Sequence, residues 1–199
     1  MPRMRTQPMK IAPHTRGRSF LRGAMLNTVG SVFVIGFALA ADPPSDKGDK
    51  VVTGGDLAFI NDAGPGGIAE VELGRLAVEK AASAEVKQFA QQMIEDHAKA
   101  GEKLKKLASQ KKVTLSPEIL PQARQTKEAL AKLSGAQFDQ AYVKAMVEMH
   151  EKDVTAFEAV AKTATDADVK AFAAETVPTL KHHLQMIREM AKSMNVSAE

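Results

Sequence analysis

Four of the five histidines lie beyond residue 40, and three of them fall where an apolar helix face would carry them. His97 follows Met93 and Ile94 and precedes Leu104. His150 lies between Met146 and Val154, and His183 between Leu180 and Ile187. Spacings of three and four place each on the buried stripe of a separate helix. His182, next to His183, faces about 100° away. On a preceding helix, Glu70 stacks with Leu73, Gly74 and Ala77, and Glu72 lies between Ile68 and Leu76. A carboxylate and imidazoles converging in a helical core can hold one transition-metal ion, Zn, Fe or Cu. The competing expectation is a buried polar network, His97 with Asp96 or His150 with Asp153 and a glutamate, that fixes helix register. Register also argues against a shared ion. Counted from Val86 and Val169, His97 and His183 are offset by about 4.5 Å along the axis. Met93, Met146, Met149, Met186 and Met190 flank the histidines as core filler, or as donors of a soft His/Met copper site.

Other chemistries lack their parts. With no cysteine there is no thiol nucleophile, disulfide or thiolate metal site. Neither a GxSxG elbow nor a phosphate-cradling glycine loop is present. The net charge of +3 belongs to the first 40 residues, where Arg3, Arg5, Lys10, Arg16, Arg18 and Arg22 stand without an acid. The remainder has 21 basic against 24 acidic residues, which gives nucleic-acid binding no general electrostatic support.

That basic stretch precedes an apolar run at 24–40 ending in Ala38-Leu39-Ala40. This is the layout of a secretory signal peptide spanning 1–40, cleaved after Ala40. As a helix the run reaches about 26 Å, short of the ~30 Å hydrocarbon core, so a retained membrane anchor is disfavoured. Gly17 stands where a twin-arginine signal needs its second arginine. The mature chain then has no transmembrane span and lies in the periplasm or cell envelope.

Residues 41–55, rich in Pro, Gly, Asp and Lys, read as a flexible linker, and 56–195 as one helical domain. A first helix covers 56–82, with Gly64-Pro65-Gly66-Gly67 expected to kink or break it. Ser83 caps a second helix to about 110. Ser116-Pro117-Glu118 starts a short helix reaching 133. A third long helix covers 136–162. A fourth runs from Asp166 or Asp168 to 194, bent at Pro178. Val86, Lys87, Phe89 and Ala90 recur as Val169, Lys170, Phe172 and Ala173, each group after a short turn. This repeat predicts two helical hairpins, 56–110 and 136–194, joined by a crossover containing the short helix. They form an all-α, antiparallel four-helix bundle.

The segments GIAEVELGRLA (67–77), VKQFAQQMIEDH (86–97), FDQAYV (138–143) with His150, and PTLKHHL (178–184) resemble a bacterial exported family catalogued as a domain of unknown function. The resemblance covers about residues 56–192. It implies a ferritin-like four-helix bundle, export to the envelope, and no established activity. A ferritin-type di-iron site needs Glu-x-x-His on two helices, but the residues three before His97 and His183 are Ile94 and Leu180. Glu70, Glu72, His97, His150 and His183 are the candidate metal set.

The leading expectation is a non-enzymatic envelope protein binding one metal ion or holding a polar core. A di-metal oxidase or peroxide-scavenging enzyme is the second. The third is a metal-free stress or interaction bundle, docking an envelope partner through Lys103, Lys105, Lys106, Lys111 and Lys112.

Overall fold

The computed structural model describes residues 52–196. The expected signal peptide and most of the expected linker lie outside them. Five α-helices make up the domain, with no strand among the described residues: α1 (Gly54–Lys80), α2 (Ala84–Gln110), α3 (Pro121–Ala131), α4 (Gly135–Thr163) and α5 (Ala167–Ser193). No described helix is long and apolar enough to cross a membrane.

The second helix of each hairpin begins at a side-chain cap. Ser83 Oγ accepts from the backbone N–H groups of Glu85 and Val86, and an Asp166 carboxylate oxygen accepts from those of Asp168 and Val169. Both caps satisfy amides that the first helical turn leaves without intrahelical partners. The bends before these helices are then finished from across the molecule. Asp139, in the second turn of α4, accepts from Ala82 N at 3.1 Å and Ser83 N at 2.8 Å. Asp56, in the first turn of α1, accepts from Thr165 N, Thr165 Oγ1 and Asp166 N at 2.7–3.0 Å. Both carboxylates are buried.

α1 packs along α2 and α4 along α5, with further contacts between α2 and α5 and between α1 and α4. Two apolar layers result. One holds Leu73 and Ala77 of α1, Phe89 and Met93 of α2, Tyr142 and Met146 of α4, and Ile187 of α5. The other holds Phe59 and Ile60, Leu104 and Leu107, and Val169 and Phe172. Each long helix passes from one layer into the other, and the residues between are polar: Glu70, His97, His150 and His183.

Three local expectations change. α1 runs unbroken through Gly64–Gly67, with Pro65 buried inside it. A proline there removes one backbone bond, and packing on both sides of the lesion outweighs that loss. The short helix starts at Pro121, whose missing N–H suits the first helical position. Ser116 closes a turn instead, accepting from Glu118 N at 3.1 Å. The first helix begins at Gly54, two residues before its expected start, and Val52 is buried in an apolar layer.

At Gly74, α1 lies tightly against α2. A Cβ there would meet Ile94 Cγ1 at 2.9 Å and the Ala90 carbonyl oxygen at 3.1 Å.

Candidate metal centre

The polar layer brings His97, His150 and His183 together, with one potential ligand nitrogen of each within 4.8 Å of the others. Ring centroids stand 5.8 Å apart for His97 and His150, 5.4 Å for His97 and His183, and 5.5 Å for His150 and His183. All three are buried. The offset expected from the repeat does not separate them. α2 and α5 pass through the two apolar layers in opposite order. Counts from Val86 and Val169 therefore run in opposite directions and measure no difference in level.

Each ring has one nitrogen held by a partner and one without a hydrogen bond, although His150 Nε2 stands 3.6 Å from Glu70 Oε1. His97 Nδ1 lies 2.8 Å from Glu70 Oε2, and His183 Nε2 lies 3.1 Å from Asp96 Oδ2. His150 Nδ1 donates to the Met146 carbonyl at 3.0 Å. With a proton on each held nitrogen, the lone pairs fall on His97 Nε2, His150 Nε2 and His183 Nδ1. These three are buried and have no hydrogen-bond partner. Buried polar atoms are seldom left this way, so three on neighbouring rings require an explanation. A second-shell acceptor that fixes tautomer and ring orientation is what metal-ligating histidines ordinarily have.

Burial keeps the rings neutral. It pushes His97 down to about 4 against the opposing charges of Asp153 and Asp96. It does the same to His150, to about 4, with Glu70 opposing and His97 assisting. His183 is also lowered, chiefly by burial. Neutral imidazole is the form that binds metal. The acids divide by environment. Burial raises Glu70. It also raises Asp153, to about 8, helped by the charge of Glu70 and a hydrogen bond to it. Asp96 is lowered, because hydrogen bonds from Gln92 and His183 and the charges of His183 and Lys99 together outweigh its burial.

Glu72 is not in this group. It pairs with Lys127 Nζ at 2.9 Å and ties α3 to α1. Residues two apart on a helix point about 200° from each other, so only one of Glu70 and Glu72 can face inward. Asp96 and Asp153, expected beside His97 and His150, serve other partners, His183 and Glu70. Asp96 adjoins His97 in sequence and so turns about 100° away, toward α5. Tyr142, whose buried hydroxyl also lacks a partner, carried no sequence signal beyond its apolar spacing. Met93 and Met146 are buried in the apolar layer, and Met149, Met186 and Met190 pack partly exposed against it. Much of the lysine cluster is paired: Lys103 with Glu175, Lys105 with Glu102, and Lys111 with both Asp166 and Asp168.

Solved structures share this helical architecture. A DUF305 fragment from Deinococcus radiodurans superposes with a TM-score of 0.64 at 13% identity, covering 71% of this chain and 98% of its own. A DUF305 protein described as secreted, from Streptomyces coelicolor, gives 0.63 at 15% identity, covering 73% and 95%. CopM in its Cu(I)-bound form gives 0.59 at 16% identity, covering 69% and 96%. At these identities the likeness concerns the fold. A search of curated proteins finds no sequence match. The resemblance read from the four sequence segments is nevertheless sound: residues 41–190 match the family described as Domain of unknown function (DUF4142), and the chain belongs to it.

Proposed function

We propose that this chain is a non-enzymatic, exported metal-binding bundle that holds one transition-metal ion through His97, His150 and His183. The observation that carries the proposal is the set of three bare, buried ring nitrogens, each opposite a nitrogen fixed by Glu70, Met146 or Asp96. Three nitrogens sharing an ion at about 2.0–2.1 Å sit roughly 3.3–3.6 Å apart. One nitrogen from each of the three rings lies within 4.8 Å of the others, so ring rotations of limited extent would bring them to one ion. Three imidazoles with a single carboxylate, Glu70, beside them suit one copper or zinc ion better than a pair of irons. CopM, a fold neighbour, has been solved in Cu(I)- and Cu(II)-bound forms, which supports testing copper first.

The scaffold fits an antiparallel, ferritin-like four-helix bundle, because successive long helices pass through the two apolar layers in an order that reverses within each hairpin. Export, with cleavage after Ala40, rests on the basic and apolar leader. Metal quantification and titration of the purified chain with Cu(I) and Zn(II) test the site. One equivalent should bind at micromolar affinity or better, and His97→Ala, His150→Ala and His183→Ala should each abolish that. A chain that binds neither ion, with variants that lose only stability, would leave the layer a structural polar network.

A further inference from the structure

A cavity of about 480 Å3 opens beside the polar layer, under α3. Its volume falls within the range of small-molecule sites. Its floor is formed by Glu70, Asp153 and His97. Its wall includes Phe59, Phe157 and Phe172, rings in mutual contact at centroid separations of 4.8, 6.1 and 6.3 Å. His150 and His183 do not line it, so it is distinct from the space among the three imidazoles.

Two features show that this cavity is built to receive something. Glu70 Oε1 is buried, on a side chain only 4% exposed, and has no N–H or hydroxyl donor within hydrogen-bond distance. His150 Nε2 stands 3.6 Å away, and the Asp153 carboxyl is hydrogen-bonded to the same side chain. The oxygen therefore has room for a further donor, and leaving a buried acceptor short of one is costly. The cavity is also kept open by small residues. At Gly67 and Gly101, which both line it, an added Cβ would meet nothing within 4 Å. The charge of the lining is one-sided. Asp62, Glu148 and the hydrogen-bonded Glu70–Asp153 pair, in which the raised Asp153 keeps its proton, line it with a single cation, Lys152.

We propose that the cavity binds a small organic monocation, a primary amine on an apolar or aromatic body, with its ammonium on Glu70 and Asp153 and its body against the three phenylalanines. An ammonium supplies three donors and no acceptor, which matches a floor of carboxyl oxygens. The body gains apolar burial, and the cation is further favoured by nearby ring faces. A carboxylate ligand would meet the floor with like charge. The proposal stands independently of metal binding at the imidazoles.

Calorimetric titration of the purified, metal-free chain with 2-phenylethylamine, and with its uncharged counterpart 2-phenylethanol, tests this. Saturable binding of the amine is expected, at least tenfold tighter than the alcohol. Gly101→Leu, which fills open space on a helix, should remove amine binding while the melting temperature and helical circular dichroism stay within a few degrees and a few per cent. Asp153→Asn should erase the preference for amine over alcohol. Equal affinity for the two probes, no saturable binding of the amine, or full binding by Gly101→Leu would each overturn the proposal.

Discussion

Asp56 and Asp139 hold matching places in the two hairpins, near the starts of α1 and of α4. They stand at the same interval as Val86 and Val169, or Phe89 and Phe172. Each closes the bend of the opposite hairpin. Glu70 and Asp153 are separated by that interval too, and they meet in the polar layer. There the likeness stops. Gly67 stands where the other half has His150, Leu180 where it has His97, and Ala100 where it has His183. The bends, the apolar layers and the Glu70–Asp153 pair follow the repeat, whereas the three imidazoles depart from it. Scaffold and imidazoles have been set by different demands, and the small residues Gly67 and Ala100 are the counterparts of His150 and His183.

The largest expected effect separates the halves. His183→Ala should lower metal affinity by more than 100-fold, measured by competition with a chromophoric chelator, while Ala100→Ser at the matching place in the first hairpin should leave it unchanged. Asp96→Asn keeps the His183 ring in place but weakens its support, and should cost about 10–100-fold in the same assay. If that variant binds normally, Asp96 does not act through His183.

Where the halves agree, effects should agree. Asp56→Ala and Asp139→Ala each leave amides at a bend without an acceptor, buried at Asp166 and partly buried at Ser83, and should cost about 1–2 kcal/mol in urea denaturation. The double variant should lose close to the sum, since the two sites share no partner. Glycines sharpen the contrast further. Gly74→Ala drives a methyl against Ile94 and the Ala90 carbonyl and should destabilise by about 1–2 kcal/mol. Gly101→Ala, in open space within a helix, should stabilise by about 0.5–1 kcal/mol.

Acid should probe the polar layer and the clamp in separate windows. The pKa values of His97 and His150 are lowered on folding, so the unfolded chain binds more protons between about 6.5 and about 4. The contribution of these two histidines should therefore fall as pH drops through that window. It is opposed by Glu70 and Asp153, whose raised pKa values make the folded chain bind more protons there. The difference between melts of the parent chain and of His97→Ala at pH 7, 5.5 and 4.5 isolates the histidine part. Asp56 is also depressed: its hydrogen bonds from Thr165 and Asp166 together outweigh burial and the charge of Asp166. Its contribution is present above its ordinary value of 3.8 and is lost only as pH falls below it. Asp56→Ala should lack this second loss and keep the first.

The caps at Ser83 and Asp166, the helix phases and the inward histidines were legible because they depend on residues three or four apart. Pro65 misled because a local rule met a helix held from outside. The partner of Asp96 was hidden because it lies on another helix, at a level that depends on the direction in which α5 runs. Glu70 and Glu72 could be ranked only once the core side of α1 was known. The cavity had no signature in the chain, since it consists of the side chains that glycine and alanine omit.

The crossed carboxylates have a consequence for how the protein assembles. Each half carries at its entrance the acid that completes the other's corner, so neither corner is whole in a lone half. The polar layer, drawn from both, forms only after the halves have met. Any ion or amine that docks there would find a receptor that exists solely in the joined state, and would hold the union shut.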